Sequence, residues 1–285
     1  MGSTHKTGGT GDAERPCNAL ILAIETSSRV GSVALASGSE LLGQATFTAP
    51  MQHSAEIMPA IVELLRRSSH SPLDLEQVHI SIGPGSFTGL RIAVAAAKAM
   101  HLANGARIVA VDSLDAIAAN VKDAPPDPAF QSISQESGAP CRLATLLDAK
   151  RGQFFTAVYE YQREDHEPAP EDATDNPDCR IPAPAGGWWR KVLPDCLLTA
   201  DELLDRFATP DHPLLVAGDG LHYHQDHFQG RAARILDKRS WSPRAESIHL
   251  LGCQKAATGG FSDPLTLVPF YLRGPEVTLR KTARF

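Results

Sequence analysis

GPGSFTGLRIAVAAAKAMHLANGA, residues 83–106, is the stretch of sequence that decides the fold. A short apolar run precedes it, so the pattern predicts a strand, a glycine turn and a helix in that order. Ser86 is a favourable N-cap, and we predict a helix over residues 87–104 that ends before Gly105. The free amide groups at the start of such a helix can hold an anion.

Two interpretations of the glycine turn stay open at this point. Its glycine spacing fits neither a Walker A loop nor the G-x-G-x-x-G fingerprint. The turn can bind a phosphate group, or its glycines can simply allow a sharp bend and close packing. The residues that either interpretation would use are Gly83, Gly85, Ser86, Thr88, Gly89 and Arg91.

The predicted helix over residues 87–104 is apolar on nearly every side, and such a helix must be buried nearly all round. A small domain cannot cover it completely, so we expect one side to meet a second protein. A further helix, predicted over residues 52–68, carries two adjacent apolar stripes, and we expect the two helices to form one partner surface. The predicted contact residues are His53, Ile57, Met58, Ile61, Ala95, Lys98 and Ala99.

Three stretches resemble a known family, the bacterial TsaB (YeaZ) family. They are ILAIETSSRVGSVAL at residues 21–35, HSAEIMPAIVELL at 53–65 and GPGSFTGLRIAVAAAKA at 83–99. GDG at 218–220 and PFYLR at 269–273 are similar to short motifs of that family. The resemblance is close over residues 19–120 and loose elsewhere. It implies an α/β, actin-like (ASKHA, ribonuclease H-like) two-lobed fold, with mixed sheets flanked by helices.

The resemblance also implies a function. The family provides the non-catalytic scaffold or activator subunit that partners TsaD, its paralogue, in forming N6-threonylcarbamoyladenosine at position 37 of tRNAs reading ANN codons. It implies a homodimer when the chain is alone, and contact with tRNA only through the complex. It leaves room for a TsaE-like ATPase and for ATP or ADP in that complex, and we expect no cofactor on this chain itself.

No metal site is expected. TsaD carries an N-H-x-x-x-H metal pair in the segment after the glycine turn, and the register places its two histidines on Ser113 and Ile117 of this chain. Isoleucine cannot coordinate a metal ion, and a lone serine hydroxyl is a poor ligand. The five cysteines are scattered and contain no C-x-x-C pair, which indicates a reducing compartment and no disulfide framework.

Two enzymatic alternatives are kept beside the partner role. One is a stand-alone ATP-dependent small-molecule kinase or ATPase of the actin-like superfamily, for which Glu25, Asp112 and Asp148 are the available carboxylates. The other is a glycoprotease, which needs a metal pair or an activated nucleophile. Ser86 and Ser113 have no histidine close by in the sequence, which argues against that activity.

Composition divides the chain into segments. We expect a disordered tail (1–18), an N-terminal actin-like domain (19–120), a flexible insertion (121–140), a C-terminal actin-like domain (141–273) that contains an acidic insertion (161–187), and a C-terminal tail (274–285). The net charge of −6 argues against a protein that grips nucleic acid alone. No apolar run is long enough to cross a membrane, and we expect a cytoplasmic protein.

Overall fold

The structure is a computed structural model that describes residues 18–47, 53–123, 140–163 and 180–273. The predicted tail over residues 1–18, except Asn18, and the predicted tail over 274–285 lie outside the described residues. So do the central parts of the two predicted insertions, at residues 124–139 and 164–179.

Eleven strands and six α-helices are found in the described part of the chain, joined by turns and short 3-10 segments. The strands are β1 (Leu20–Glu25), β2 (Gly31–Ser37), β3 (Glu40–Phe47), β4 (Gln77–Gly83), β5 (Arg107–Asp112), β6 (Arg142–Asp148), β7 (Gln153–Gln162), β8 (Ile181–Pro182), β9 (Trp188–Thr199), β10 (Leu214–Ala217) and β11 (Ala233–Ile235). The helices are α1 (His53–Arg67), α2 (Phe87–Asn104), α3 (Ser113–Asn120), α4 (Ala200–Phe207), α5 (Leu221–His224) and α6 (Ala245–Ala257).

The strands form two mixed sheets that repeat one pattern. The first sheet has the order β3-β2-β1-β4-β5, in which β1 to β3 are antiparallel and β4 and β5 run parallel to β1. The second has the same arrangement, β9-β7-β6-β10-β11, with β8 added at the β9 edge. The molecule therefore has the two lobes of mixed sheet and helix that the sequence predicts.

Each face of the first sheet is covered by a different pair of helices. Side chains alternate along β1, so that Leu22 and Ile24 pack beneath α1 and α2, whereas Ala23 faces the opposite way. On that opposite face lie α3 and α6, and there the core of the first sheet continues into the core of the second. The two lobes thus share one hydrophobic core.

The structure differs from the predicted segments at three places. Residues 121–123 form a 3-10 turn with Val121 fully buried, so the insertion begins later than residue 121. Inside the predicted acidic insertion, residues 181–182 form a strand of the second sheet. The helix α6, predicted within the C-terminal domain, packs on the first sheet and completes the N-terminal lobe.

Two further contacts tie the lobes together. The Lys191 ammonium group on β9 lies 2.6 Å from the Asp115 carboxylate and 3.3 Å from that of Asp112, at the start of α3. In the closing segment, the Phe270 amide donates to the Ile82 carbonyl in the first lobe. Three residues later, Arg273 donates to the Ala149 carbonyl in the second lobe at 2.7 Å.

Among the described residues, no helix has the length and apolar character that a membrane span requires.

Candidate functional site

The glycine turn is packed against the turn that follows β1. The Ser86 amide donates to the Ser27 carbonyl at 2.7 Å, and the Thr26 hydroxyl donates to the Gly89 carbonyl at 2.7 Å. The Ser86 hydroxyl caps α2 by accepting from the Gly89 amide, as predicted. Protein groups therefore occupy the positions next to this helix start.

Two of the glycines are needed because backbone carbonyl oxygens lie where a Cβ atom would be. A Cβ atom at Gly89 would overlap the Thr26 carbonyl oxygen, and one at Gly85 would overlap that of Ser27. Gly85 also has a φ of +156°, which side-chain-bearing residues rarely adopt. These contacts are those of the close-packed alternative, and phosphate binding at this turn stays untested.

The remaining residues predicted around the turn lie on its outside. Thr88 is exposed. The Arg91 guanidinium stacks on the Phe87 ring, 3.8 Å from the centroid, and donates to the Tyr271 hydroxyl. A Cβ atom at Gly83 would overlap the Phe270 carbonyl, so the closing segment covers this side of the turn.

Where the two lobes meet, two buried carboxylates lie within electrostatic reach of each other, Glu25 at the end of β1 and Asp219 just after β10. Glu25 accepts hydrogen bonds from the Ser27 amide and hydroxyl, and Asp219 accepts one from the Arg29 amide. Burial raises the pKa of Glu25 to about 7 against these bonds from Ser27, and the charge of Asp219 raises it further. One oxygen of each carboxylate is buried without a hydrogen-bond partner in the described part of the chain, although the His222 Nε2 atom lies 3.5 Å from that of Asp219.

The other two candidate carboxylates have structural roles. Asp112 caps α3 through the Leu114 and Asp115 amides and pairs with Lys191. Burial raises its pKa to about 7, although the charge of Lys191 acts in the opposite direction. Asp148 accepts from the Lys150 amide and pairs with its ammonium group at 2.7 Å, within the turn between β6 and β7.

A second candidate site is the outer face of the neighbouring helices α1 and α2. Met58 is 48% exposed and Val62 54% exposed on α1, and Leu102 is 83% exposed on α2. Ala95 and Ala99 are exposed on the same helix, one turn apart. We refer to these five residues as the outer helical face.

The structure corrects two of the predicted partner contacts. Ile57 and Ile61 are each 2% exposed and belong to the core beneath α1, so they cannot lie on this surface. The helix α1 begins at His53, whose side chain lies outside what the structure describes. Lys98 is half-buried and lies within electrostatic reach of Asp263.

Sequence reasoning did not include four of the exposed apolar residues of this region among its contacts. Val62 is one turn from Met58, and Leu102 is three residues from Ala99, so helical spacing could have identified both. Leu265 and Val268 are 88% and 67% exposed in the closing segment. No periodic pattern marks them, because this segment is neither helix nor strand.

The fold has a counterpart among solved structures. A crystal structure from Pseudomonas aeruginosa, described as "an uncharacterized protein with similarity to peptidase YEAZ", aligns with a TM-score of 0.63 at 23% identity. The alignment covers 90% of this chain and 100% of that one. This likeness confirms the predicted α/β, actin-like fold class.

Sequence comparison gives the family. Residues 47–188 match the family model described as "TsaD: tRNA N6-adenosine threonylcarbamoyltransferase". The "tRNA threonylcarbamoyladenosine biosynthesis protein TsaB" of Bacillus subtilis (strain 168) is 28% identical over 90% of this chain and 95% of that protein. The protein of the same name from Escherichia coli (strain K12) is 24% identical over 89% of this chain and 94% of that protein. The predicted resemblance to the TsaB (YeaZ) family is confirmed.

In this chain, the two positions compared with the metal pair of TsaD lie in the interior. Ser113 and Ile117 are fully buried at the start and middle of α3. Within the described ranges, no three His, Cys, Asp or Glu side chains are arranged to hold a metal ion. That this chain binds no metal remains a prediction.

Proposed function

We propose that this chain is a non-catalytic scaffold or activator subunit, which partners TsaD in forming N6-threonylcarbamoyladenosine at position 37 of tRNAs reading ANN codons. The relatives named for tRNA threonylcarbamoyladenosine biosynthesis support the pathway. The observation that carries the partner role is the outer helical face, because an exposed apolar surface on neighbouring helices usually marks a protein interface.

TsaD is the partner that the similarity favours. The matched range of the TsaD family model, residues 47–188, includes both α1 and α2. A TsaD chain with the equivalent helices can place its pair against this pair and form a four-helix interface. The small side chains of Ala95 and Ala99 permit close approach of the helices there. When alone, the chain uses the same face for a second copy of itself, related by a two-fold axis.

The carboxylates of this chain support a non-catalytic role. Asp112 and Asp148 cap local backbone and pair with lysines, and Glu25 is fully buried. We therefore assign the chemistry to TsaD and no cofactor to this chain. ATP or ADP, a TsaE-like ATPase and the tRNA enter through the complex, which we place in the cytoplasm.

The test combines copurification with a modification assay. This chain and TsaD from the same organism are incubated with an unmodified tRNA transcript and a threonylcarbamoyl donor, each alone and together. We expect modified adenosine to form only when both proteins are present, or to form far faster then than with either alone. We also expect the two proteins to elute as a stable complex in size-exclusion chromatography. Equal modification by TsaD with and without this chain would contradict the proposal.

One observation keeps the kinase or ATPase alternative under test. The buried carboxylates of Glu25 and Asp219 lie within electrostatic reach of each other where the two lobes meet, as paired acids in an active site would. Incubating the pure chain with ATP, Mg²⁺ and candidate small-molecule acceptors checks this activity. Turnover without TsaD would replace the proposal by the enzymatic alternative.

A further inference from the structure

An exposed aromatic ring lies close to two cations where the two lobes meet, a place that we call the cleft mouth. Tyr223, on α5, is 56% exposed. The Arg29 guanidinium lies 4.9 Å from the centre of its ring, and the Lys150 ammonium group lies 5.9 Å from it. Arg29 follows β1 in the first lobe and Lys150 follows β6 in the second, so both lobes contribute to this arrangement.

Exposed cations are present at the cleft mouth, among them Arg29 and Lys150, although the chain carries a net charge of −6. Lys238 is exposed, and its charge reaches His222, as does that of Arg29. Acidic groups lie there as well. Asp148 pairs with Lys150, Asp237 beside Lys238 pairs with Arg239, and Asp219 is 7% exposed; Asp226 is exposed on the segment after α5.

An exposed ring flanked by cations fits RNA. Every base offers a face that stacks on an aromatic side chain, and nearby cations bind the adjoining phosphates. An acidic peptide would satisfy the cations, but it offers no comparable partner for the exposed face of Tyr223. The ring therefore favours RNA over an acidic protein segment.

We propose that Tyr223, Arg29, Lys150 and Lys238 form an RNA-binding surface at the cleft mouth. A base that is unpaired in the tRNA stacks on Tyr223, and the cations bind the phosphates on either side of it. That the RNA is a tRNA rests on the proposed function. None of the four residues belongs to α1 or α2, so we expect a TsaD chain bound at the outer helical face to leave them accessible.

The test measures tRNA affinity in the full chain and in its complex with TsaD, at several salt concentrations, using an unmodified tRNA transcript as the probe. Tyr223→Ala is expected to weaken binding about fivefold or more, the loss of one base stack. Arg29→Glu is expected to weaken it and to reduce the slope of log affinity against log salt concentration by about 1.

The matched control is Arg107→Glu. Arg107 is also exposed and also stacks on an aromatic ring, that of Phe261 at 4.0 Å, but it lies at the opposite end of the first sheet. Arg107→Glu changes the net charge by the same amount as Arg29→Glu does. We expect its tRNA affinity to stay within about twofold of the wild-type value. An equal loss in this control would mean that net charge, and not the cleft mouth, governs binding.

The outcomes separate this inference from the proposed function. If Tyr223→Ala and Arg29→Glu leave the tRNA affinity unchanged in a complex that modifies tRNA, the inference is wrong and the function stands. The inference is also wrong if these two variants lose TsaD binding but keep their tRNA affinity. It is wrong as well if neither the wild-type chain nor its complex with TsaD binds tRNA. Weakened tRNA binding without any stimulation of TsaD supports the inference and contradicts the proposed function.

Discussion

At the end of β1, the Glu25 side chain is fully buried, and burial raises the pKa of its carboxyl group from 4.5 to about 7. The folded state therefore holds this proton more tightly than the unfolded chain does. The contribution of Glu25 to stability accordingly falls as the pH rises from about 4.5 to about 7. We expect Glu25→Gln, which keeps an oxygen that can accept from Ser27, to remove this loss.

The measurement is urea unfolding of both proteins at pH 5 and pH 8. At pH 8 the variant should gain up to about 3 kcal/mol relative to the wild type, and at pH 5 much less. Glu40→Gln, at an exposed site on β3, serves as the control and should change neither value appreciably. Parallel pH profiles for Glu25→Gln and wild type would show that Glu25 does not titrate in this range.

Single residues were predictable where their partners are close in sequence. Ser86 caps α2, Asp112 caps α3 and Thr199 caps α4, and each accepts a hydrogen bond from an amide within three residues. The role of the glycines was not predictable in the same way. The carbonyls of Thr26 and Ser27 reach Gly89 and Gly85 from about sixty residues away, and only the assembled sheet brings them together.

At the scale of the helices, a substitution on α2 tests whether the outer helical face is the partner surface. Ala99→Glu places a charge on the outer helical face, where pairing with TsaD or with a second copy would bury it unpaired. Such a burial costs on the order of 2–5 kcal/mol, which weakens either association about thirtyfold or more. The free energy of unfolding should change by less than about 0.5 kcal/mol, because the position is exposed.

Size-exclusion chromatography and titration with TsaD report both associations. Gln229→Glu, an exposed change of the same charge in the second lobe, is the matched control and should bind normally. A folded Ala99→Glu protein that still forms the homodimer and the TsaD complex with normal affinity would place the interface elsewhere.

Element prediction failed where patterns were ambiguous. Both stripes of α1 are apolar, so periodicity could not decide that Ile57 and Ile61 face the sheet while Met58 and Val62 face outward. The strand β9 was missed altogether. It contains Pro194, and its pairing with β7 shifts register twice, so side chains do not alternate regularly along it.

At the scale of the whole molecule, we predict that the contact between the lobes at Lys191 stabilises the fold. Its ammonium group faces Asp112, Asp115 and Asp195, and Tyr159 donates to Asp115. Burial acts to lower the pKa of Lys191, but these neighbours raise it overall. Lys191→Met leaves the carboxylates without their cation, which should destabilise the fold by about 3–5 kcal/mol.

The pH dependence distinguishes this effect from lost packing. Protonation relieves the repulsion among the unpaired carboxylates, so the loss in Lys191→Met should be larger at pH 8 than at pH 5. Urea unfolding at both pH values measures it, with Lys122→Met at an exposed site as the control. The same loss at both pH values would assign it to packing rather than to charge.

The two-lobed arrangement was predictable through the resemblance to the TsaB (YeaZ) family, which implies an actin-like fold. The sheet on which α6 packs was not predictable, because the sequence of α6 shows where a helix forms and not which sheet it covers. Its buried side chains include Ile248 and Leu251, and these reach β1 and β2 more than two hundred residues earlier. Such long-range choices depend on the shape of the assembled core.

The helix α6 covers the inner face of the first sheet, and this has a consequence for synthesis. Because α6 follows β1 and β2 by about two hundred residues, a growing chain makes those strands long before it makes the helix that covers them. We therefore expect the N-terminal lobe to stay incomplete, with apolar side chains of β1 and β2 accessible to chaperones, until α6 has been synthesised.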